Sequence, residues 1–211
     1  MIWLWMSCSR EPGIPKPDHE GPLRILAVGD SITHGYGVPG GYRVPLRERL
    51  VAAGLDVDFV GSQKWAPGGW PDPEHEGWSG YLIDEIAPHA QAAVATYDPD
   101  VILLLAGCND VRKGQGAGAP ERLFALADVL HAAVPNATVI VGTLTPWKPP
   151  DPRVAAFNAT LPALAEERGD WLRLADLHGA MTPEMIADDV HPDATGFAGV
   201  AAAWARAMGV R

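Results

Sequence analysis

The sequence of 211 residues is poor in cysteine and in basic residues, and it contains no long apolar run. Its two cysteines, Cys8 and Cys108, are too few for a disulfide framework or a metal-ligand cluster, so we expect two free thiols. No stretch approaches the roughly 20 apolar residues that a membrane span needs. A net charge of −10 disfavours nucleic acid or an anionic membrane as partner. A small-molecule substrate is the partner we expect.

The first 22 residues differ in composition from the remainder. Met1–Met6 is apolar but lacks a basic leader and is shorter than a signal-peptide core, whereas Ser9–Pro22 is rich in proline, glycine and charge. We expect an extended arm over residues 1–22 and one domain over residues 23–211, a length that supports a single core. A truncated secretion signal stays open as an alternative to a cytoplasmic location.

Apolar, strand-like runs alternate with helix-like segments along the domain. The strand-like runs are Arg24–Asp30, Val57–Ser62, Asp100–Gly107, Ala137–Gly142 and Trp171–Ala175, and the helix-like segments are Tyr42–Ala53, Tyr81–Thr96, Pro120–Ala133, Pro152–Arg168 and Asp193–Met208. This alternation predicts an α/β domain in which helices cover both faces of a doubly wound, parallel, five-stranded sheet. Uninterrupted apolar runs such as Val101–Leu105 are typical of strands buried on both faces.

Polar and glycine-rich segments follow the strand-like runs. Gly29-Asp30-Ser31 ends the first run, Gly107-Cys108-Asn109-Asp110 ends the third, and Asp188-Asp189-Val190-His191 precedes the last helix. A long loop with Trp65, Trp70 and Glu76-Gly77-Trp78-Ser79-Gly80 follows the second run. Because the carboxyl ends of parallel strands meet at one edge of a sheet, we expect these segments to form a crevice there.

A serine nucleophile needs a neighbouring base. His191 is the candidate base for Ser31, and Asp188, three residues before it, can orient the imidazole within one turn. Asp189 points elsewhere at this spacing and is interpreted as a solvated surface acid. The alternative for Ser31 is a helix-capping or turn serine.

Acyl transfer also needs hydrogen-bond donors for the oxyanion that develops. The backbone N–H groups of Ser31 and Gly80 and the side-chain amide of Asn109 are the candidate donors. The alternatives are a turn glycine for Gly80 and an Asx turn for Asn109.

Together these segments resemble, in order, the four blocks of the SGNH (GDSL) hydrolases, from about residue 24 to residue 205. The resemblance implies a three-layer, flavodoxin-like αβα sandwich and a serine esterase without metal or cofactor. It implies Ser31 as nucleophile, His191 as base, Asp188 as its orienting acid, and Gly80 and Asn109 as oxyanion donors. Gly77 competes with Gly80 in the second block, and Gly80 is preferred.

Within that family, His75-Glu76-Gly77-Trp78-Ser79-Gly80-Tyr81 is most similar to the carbohydrate O-acetyl esterases of the acetylxylan-esterase type. Candidate substrate contacts are Trp65, Trp78, Trp147 and Asp30. The three tryptophans are candidates because aromatic rings stack against sugar faces or acyl groups. The alternatives are packing of the tryptophans against the body of the domain and, for Asp30 as for Asp110, a structural role in fixing a loop.

The function that we predict is a serine esterase that hydrolyses small acyl esters, acetyl esters above all, of a hydroxylated substrate such as a carbohydrate. Two alternatives stay open: a lipase- or thioesterase-type hydrolase of longer acyl chains, and a non-catalytic flavodoxin-like binding module. The sequence does not assign an oligomeric state.

Overall fold

A computed structural model describes residues 13–210 and places one mixed sheet between two layers of helices. The strands are β1 (Leu23–Gly29), β2 (Val57–Val60), β3 (Gln63–Lys64), β4 (Glu74–Gly77), β5 (Val101–Leu105), β6 (Thr138–Gly142) and β7 (Leu172–Ala175). The helices are α1 (Ser31–His34), α2 (Arg43–Ala52), α3 (Ile83–Tyr97), α4 (Cys108–Arg112), α5 (Ala119–Ala133), α6 (Pro152–Glu166) and α7 (Ala194–Ala207), with 3-10 turns at Gly169–Trp171 and Pro183–Met185.

The five predicted strands form the parallel part of the sheet in the order β2, β1, β5, β6, β7. Helices α2 and α7 pack together on one face, and α3, α5 and α6 pack in succession on the other. The predicted three-layer, doubly wound α/β fold is therefore confirmed. All five residues of β5 are buried, as expected for a central strand covered on both faces.

The prediction of five strands was wrong in number, because the long loop after β2 adds two short strands. Strand β2 pairs with β1 only from Leu23 to Leu26, so the carboxyl end of β1 has a free edge. Strand β4 fills that edge in parallel, with Val28 opposite Glu76, and β3 pairs with β4 antiparallel. Glu74–Gly77 carries no apolar strand pattern, since this strand is formed by an available edge rather than by its own side chains.

The predicted arm is described from residue 13 to residue 22, where β1 follows. This segment has no helix and lies against the amino ends of the strands. Asn136 Nδ2 donates to Asp18 Oδ2 at 2.8 Å, and Arg173 donates to the Gly13 carbonyl at 2.9 Å. Cys8 and the apolar run Met1–Met6 lie outside the described residues. Within residues 13–210, no helix has the length and apolarity needed to cross a bilayer.

A buried arginine fastens the loop of β3 and β4 to the start of the domain. The guanidinium of Arg43, the first residue of α2, donates to five backbone carbonyls, those of Thr33, His34, Trp65, Pro73 and Glu74. Burial lowers the pKa of Arg43 to about 10, which leaves it charged at neutral pH. Two of these carbonyls belong to α1 and three to the loop, so one side chain sets their relative position.

Replacing this arginine tests its contribution to stability. Arg43→Met removes the donors of five buried or half-buried carbonyls, and we expect the free energy of unfolding to fall by about 3 kcal/mol or more in chemical denaturation. Arg49→Met, an exposed arginine on the same helix, is the control and should change it by less than about 0.5 kcal/mol. Equal stability of the two variants would show that the Arg43 contacts do not hold the loop.

Candidate active site

Ser31 begins a short helix directly behind the central strand β1. Asp30 caps α1, because its Oδ1 accepts from the Ile32 N–H at 3.0 Å, and Gly35 ends the helix in the left-handed conformation at φ 87°. The alternative of a helix-capping Ser31 is wrong, because the capping side chain is that of Asp30. Ser31 is thereby fixed at the carboxyl edge of the sheet with its Oγ free for other contacts.

Ser31, His191 and Asp188 form a continuous hydrogen-bonded chain. Ser31 Oγ lies 2.9 Å from His191 Nε2, and His191 Nδ1 lies 2.8 Å from Asp188 Oδ2. A proton on Nδ1 faces the carboxylate, which leaves Nε2 as the acceptor for the serine hydroxyl. This arrangement can remove the proton of the serine during attack on an acyl carbon.

The carboxylate of Asp188 is held in its charged form by its own loop. Its Oδ1 accepts the backbone N–H groups of Val190 and His191, both at 2.8 Å. Partial burial opposes ionisation, but these two N–H groups and the imidazole outweigh it and lower the pKa of Asp188 to about 2. Asp189 is exposed, and within residues 13–210 its carboxylate accepts no hydrogen bond.

Two backbone N–H groups near Ser31 are available to a ligand. Within residues 13–210, the N–H groups of Ser31 and Gly80 donate to no protein acceptor. Gly77, the competing glycine, already donates to His75 Nδ1 at 2.9 Å, and a Cβ at this position would overlap the backbone of His34. Gly77 therefore serves close packing, and Gly80, at φ 83°, is the glycine with a free donor.

Asn109 and Lys113 tie the loop of Gly80 to helix α4. Asn109 Nδ2 donates to the Tyr81 carbonyl at 3.0 Å and makes a long contact of 3.4 Å to Asp30 Oδ2. Lys113 Nζ donates to the Gly80 carbonyl at 2.9 Å. The side chain of Asn109 is thus directed to the region between the Gly80 loop and Asp30, next to Ser31.

The sequence and structure match known proteins. The sequence model of the GDSL-like lipase/acylhydrolase family matches residues 27–198. The chain belongs to this family. The predicted resemblance to the SGNH (GDSL) hydrolases is thereby confirmed, and membership supports a carboxylic ester hydrolase.

Curated relatives of this GDSL-family chain are longer proteins. A multidomain esterase of Ruminococcus flavefaciens is 29% identical over 215 residues, which cover 87% of this chain and 28% of that protein. A putative endoglucanase X of Acetivibrio thermocellus is 25% identical over 128 residues, 58% of this chain and 55% of that protein. The chain thus spans between about a quarter and about half of the length of these relatives.

Solved structures of carbohydrate esterases share the fold over nearly their whole length. The family 3 carbohydrate esterase of Clostridium thermocellum has a TM-score of 0.80 and 31% identity, with 88% of this chain and 94% of that chain covered. The family 3 carbohydrate esterase of Talaromyces cellulolyticus has a TM-score of 0.76 and 28% identity, with 86% and 94% covered. A mutant acetyl esterase solved with an acetate ion has a TM-score of 0.76 and 27% identity, with 85% and 93% covered.

Asp30 and Asp110 are buried acids beside the site of this GDSL-family chain, and both accept hydrogen bonds from its loops. Asp30 is 1% exposed, and burial raises its pKa to about 6, against the lowering effects of the Ile32 N–H and His191. Asp110, also buried, accepts from the Ile83 N–H at 3.1 Å and from Arg122 at 2.6 Å. These contacts agree with the structural interpretation of both acids and leave no surface of Asp30 for a substrate.

The three candidate tryptophans have different environments. Trp78 packs its ring on His89 at 3.7 Å and donates to Glu76, so it fixes the loop to α3. Trp147 is 7% exposed. Trp65 is 43% exposed and stacks on His34, the last residue of the Ser31 helix. Of the three, Trp65 presents the largest exposed ring surface near the site.

Tyr36, Arg43 and Lys113 were missed by sequence analysis. Tyr36 is 53% exposed, and its ring centre lies 4.4 Å from that of His191. The aromatic residue between Gly35 and Gly37, directly after the serine motif, was a signal that could have found it. The contacts of Arg43 and Lys113 are to backbone carbonyls distant in sequence, and no sequence pattern marks them.

One group of side chains has the spacing of metal ligands. The ligand atoms of Asp18, His19 and Asp100 lie within 4.8 Å of one another. Arg24 Nε donates to His19 Nε2 at 3.1 Å, and its positive charge opposes a cation there. Asp100 precedes β5, so this group lies at the amino edge of the sheet, opposite Ser31. Within residues 13–210, no such group lies beside the serine.

Replacing Lys113 tests whether the Gly80 loop is positioned from α4. We expect Lys113→Met to lower kcat for ester hydrolysis about fivefold with little change in KM. The variant loses the hydrogen bond to the Gly80 carbonyl, worth about 1 kcal/mol, which aligns the Gly80 N–H with the oxyanion. Lys113→Arg can still donate to the Gly80 carbonyl and should recover most of the rate. Steady-state kinetics with unchanged thermal stability provide the measurement, and a wild-type kcat in Lys113→Met would contradict the positioning.

Proposed function

We propose that this protein is a serine esterase that removes acetyl groups from a carbohydrate through an acyl-enzyme on Ser31. The observation that carries the proposal is the chain of hydrogen bonds from Ser31 Oγ to His191 and on to Asp188, at 2.9 and 2.8 Å. Similarity to family 3 carbohydrate esterases and to an acetyl esterase supports the substrate class.

Acylation begins when Ser31 Oγ attacks the acyl carbon while its proton passes to His191 Nε2. The electron pair of the carbonyl bond moves to oxygen and forms a tetrahedral oxyanion. Collapse of this intermediate breaks the bond to the sugar oxygen, which takes the proton from His191 and leaves. Water then attacks the acyl-serine with His191 again as base, and acetate is released. Asp188 stabilises the imidazolium in both halves of the reaction.

The oxyanion is stabilised by the N–H groups of Ser31 and Gly80 together with the amide of Asn109, which exchanges its long 3.4 Å contact to Asp30 Oδ2 for the oxyanion. Both backbone groups are free of protein acceptors within residues 13–210, so they need not break a hydrogen bond to serve the intermediate. Removing one such donor typically costs about 10²–10³ in turnover.

A small acyl group agrees with the limited access to the serine. Ser31 is only 8% exposed, so an ester reaches the nucleophile through a small part of its surface. The exposed rings of Tyr36 and Trp65 flank the serine helix, and such rings stack against the apolar faces of sugars. We therefore assign the enclosed side of Ser31 to the acetyl group and the open aromatic side to the carbohydrate.

Labelling and substitution of Ser31 test this function. A fluorophosphonate should label the wild-type chain once, and Ser31→Ala should lose both the label and about 10⁴-fold or more of its turnover of p-nitrophenyl acetate. The exposed Ser62→Ala is the control and should keep label and activity. Labelling that persists in a folded Ser31→Ala variant would refute the assignment, and a preference for long acyl chains would refute the acetyl substrate.

A further inference from the structure

A groove lies between the end of α4, the loop after β6 and the residues that precede His191. It is lined by Arg112, Trp147, Lys148, the proline-rich segment 149–152, Asp189 and Val190. Val190 directly precedes His191, and Arg112 ends the short helix that carries Asn109. The groove is therefore built from segments that also carry the base and one of the proposed oxyanion donors.

Packing and backbone contacts restrict the walls of the groove. Trp147 is nearly buried beneath it and lies under the guanidinium of Arg153, 5.9 Å from the ring centre. The backbone N–H of Lys148 donates to the Asp189 carbonyl at 2.9 Å, which joins the loop after β6 to the loop of His191. Three prolines in segment 149–152 restrict the backbone further. The backbone that carries Lys148 is therefore held against the loop of His191.

The groove carries unpaired positive charge in an acidic protein. Arg112 and Lys148 are exposed, and within residues 13–210 neither makes an ion pair. Asp151, on the same wall, is already paired with Arg153 at 2.6 Å, so Asp189 is the remaining acid. Two cations face one acid here, whereas the whole chain has a net charge of −10.

We propose that this groove binds the carboxylate of an acidic sugar residue next to the acetylated one, which makes a uronate-bearing saccharide the preferred substrate. The inference rests on the proposed function for its ester chemistry. A guanidinium pairs with a planar carboxylate through two parallel N–H bonds, and the Lys148 ammonium adds a second charge. Within residues 13–210 neither cation forms an ion pair, so both can pair with a ligand.

Kinetics on two matched substrates test the groove. We compare kcat/KM for acetylated xylo-oligosaccharides with and without a glucuronic acid branch. The wild type should prefer the acidic substrate about threefold to tenfold, and this preference should fall towards one at high salt. Arg112→Gln with Lys148→Gln should abolish the preference through KM, whereas Arg49→Gln, an exposed arginine on α2, should retain it. No preference in the wild type, or an unchanged preference in the double variant, would overturn the proposal.

A binding measurement separates this proposal from the proposed function. Calorimetry with Ser31→Ala compares the affinity for the two oligosaccharides without turnover, and free glucuronate and inorganic phosphate serve as competitors. Tighter binding of the acidic oligosaccharide, lost on adding Arg112→Gln and Lys148→Gln, supports the groove even if no ester is hydrolysed. Equal affinities overturn it even if the wild type hydrolyses both substrates, and displacement by phosphate but not by glucuronate would refute a carboxylate site.

Discussion

The site depends on a close approach of three backbone segments at the carboxyl end of β1. A Cβ on Gly29 would overlap the Leu105 carbonyl oxygen and the side chain of Thr33, and a Cβ on Gly77 would overlap the backbone of His34. These glycines let the serine helix α1 fit between strands β4 and β5. Any larger residue at either position would push α1 outwards and change the separation of Ser31 from His191.

Three of the groups that position the site are buried, whereas Lys113 and Asp188 are exposed. Arg43, Asp30 and Asp110 lie in the interior and direct their hydrogen bonds to loop backbone or other side chains. Asp188 is exposed, yet two backbone N–H groups of its own loop keep it charged and oriented. The loops at this edge therefore keep a defined geometry although they lie at the surface.

Sequence analysis predicted the elements whose pattern is local. The five long helices and the five predicted strands begin and end within two residues of the predicted positions, because apolar periodicity records burial directly. The spacing of Asp188 and His191 likewise placed the carboxylate beside the imidazole. Strands β3 and β4 could not be predicted, since they depend on the free edge of β1. The role of Arg43 could not be predicted either, because it depends on carbonyls that only folding brings together.

The proposed mechanism requires that a hydroxyl, an imidazole and a carboxylate from two distant segments act together as an acyl-transfer centre. Rapid acid quenching of the wild-type protein during turnover of p-nitrophenyl acetate, followed by peptide mass spectrometry, tests it most directly. We expect a transient form of the chain that carries one acetyl group, located on Ser31. Turnover without an acetylated chain at any quench time, or acetyl on another residue, would contradict it.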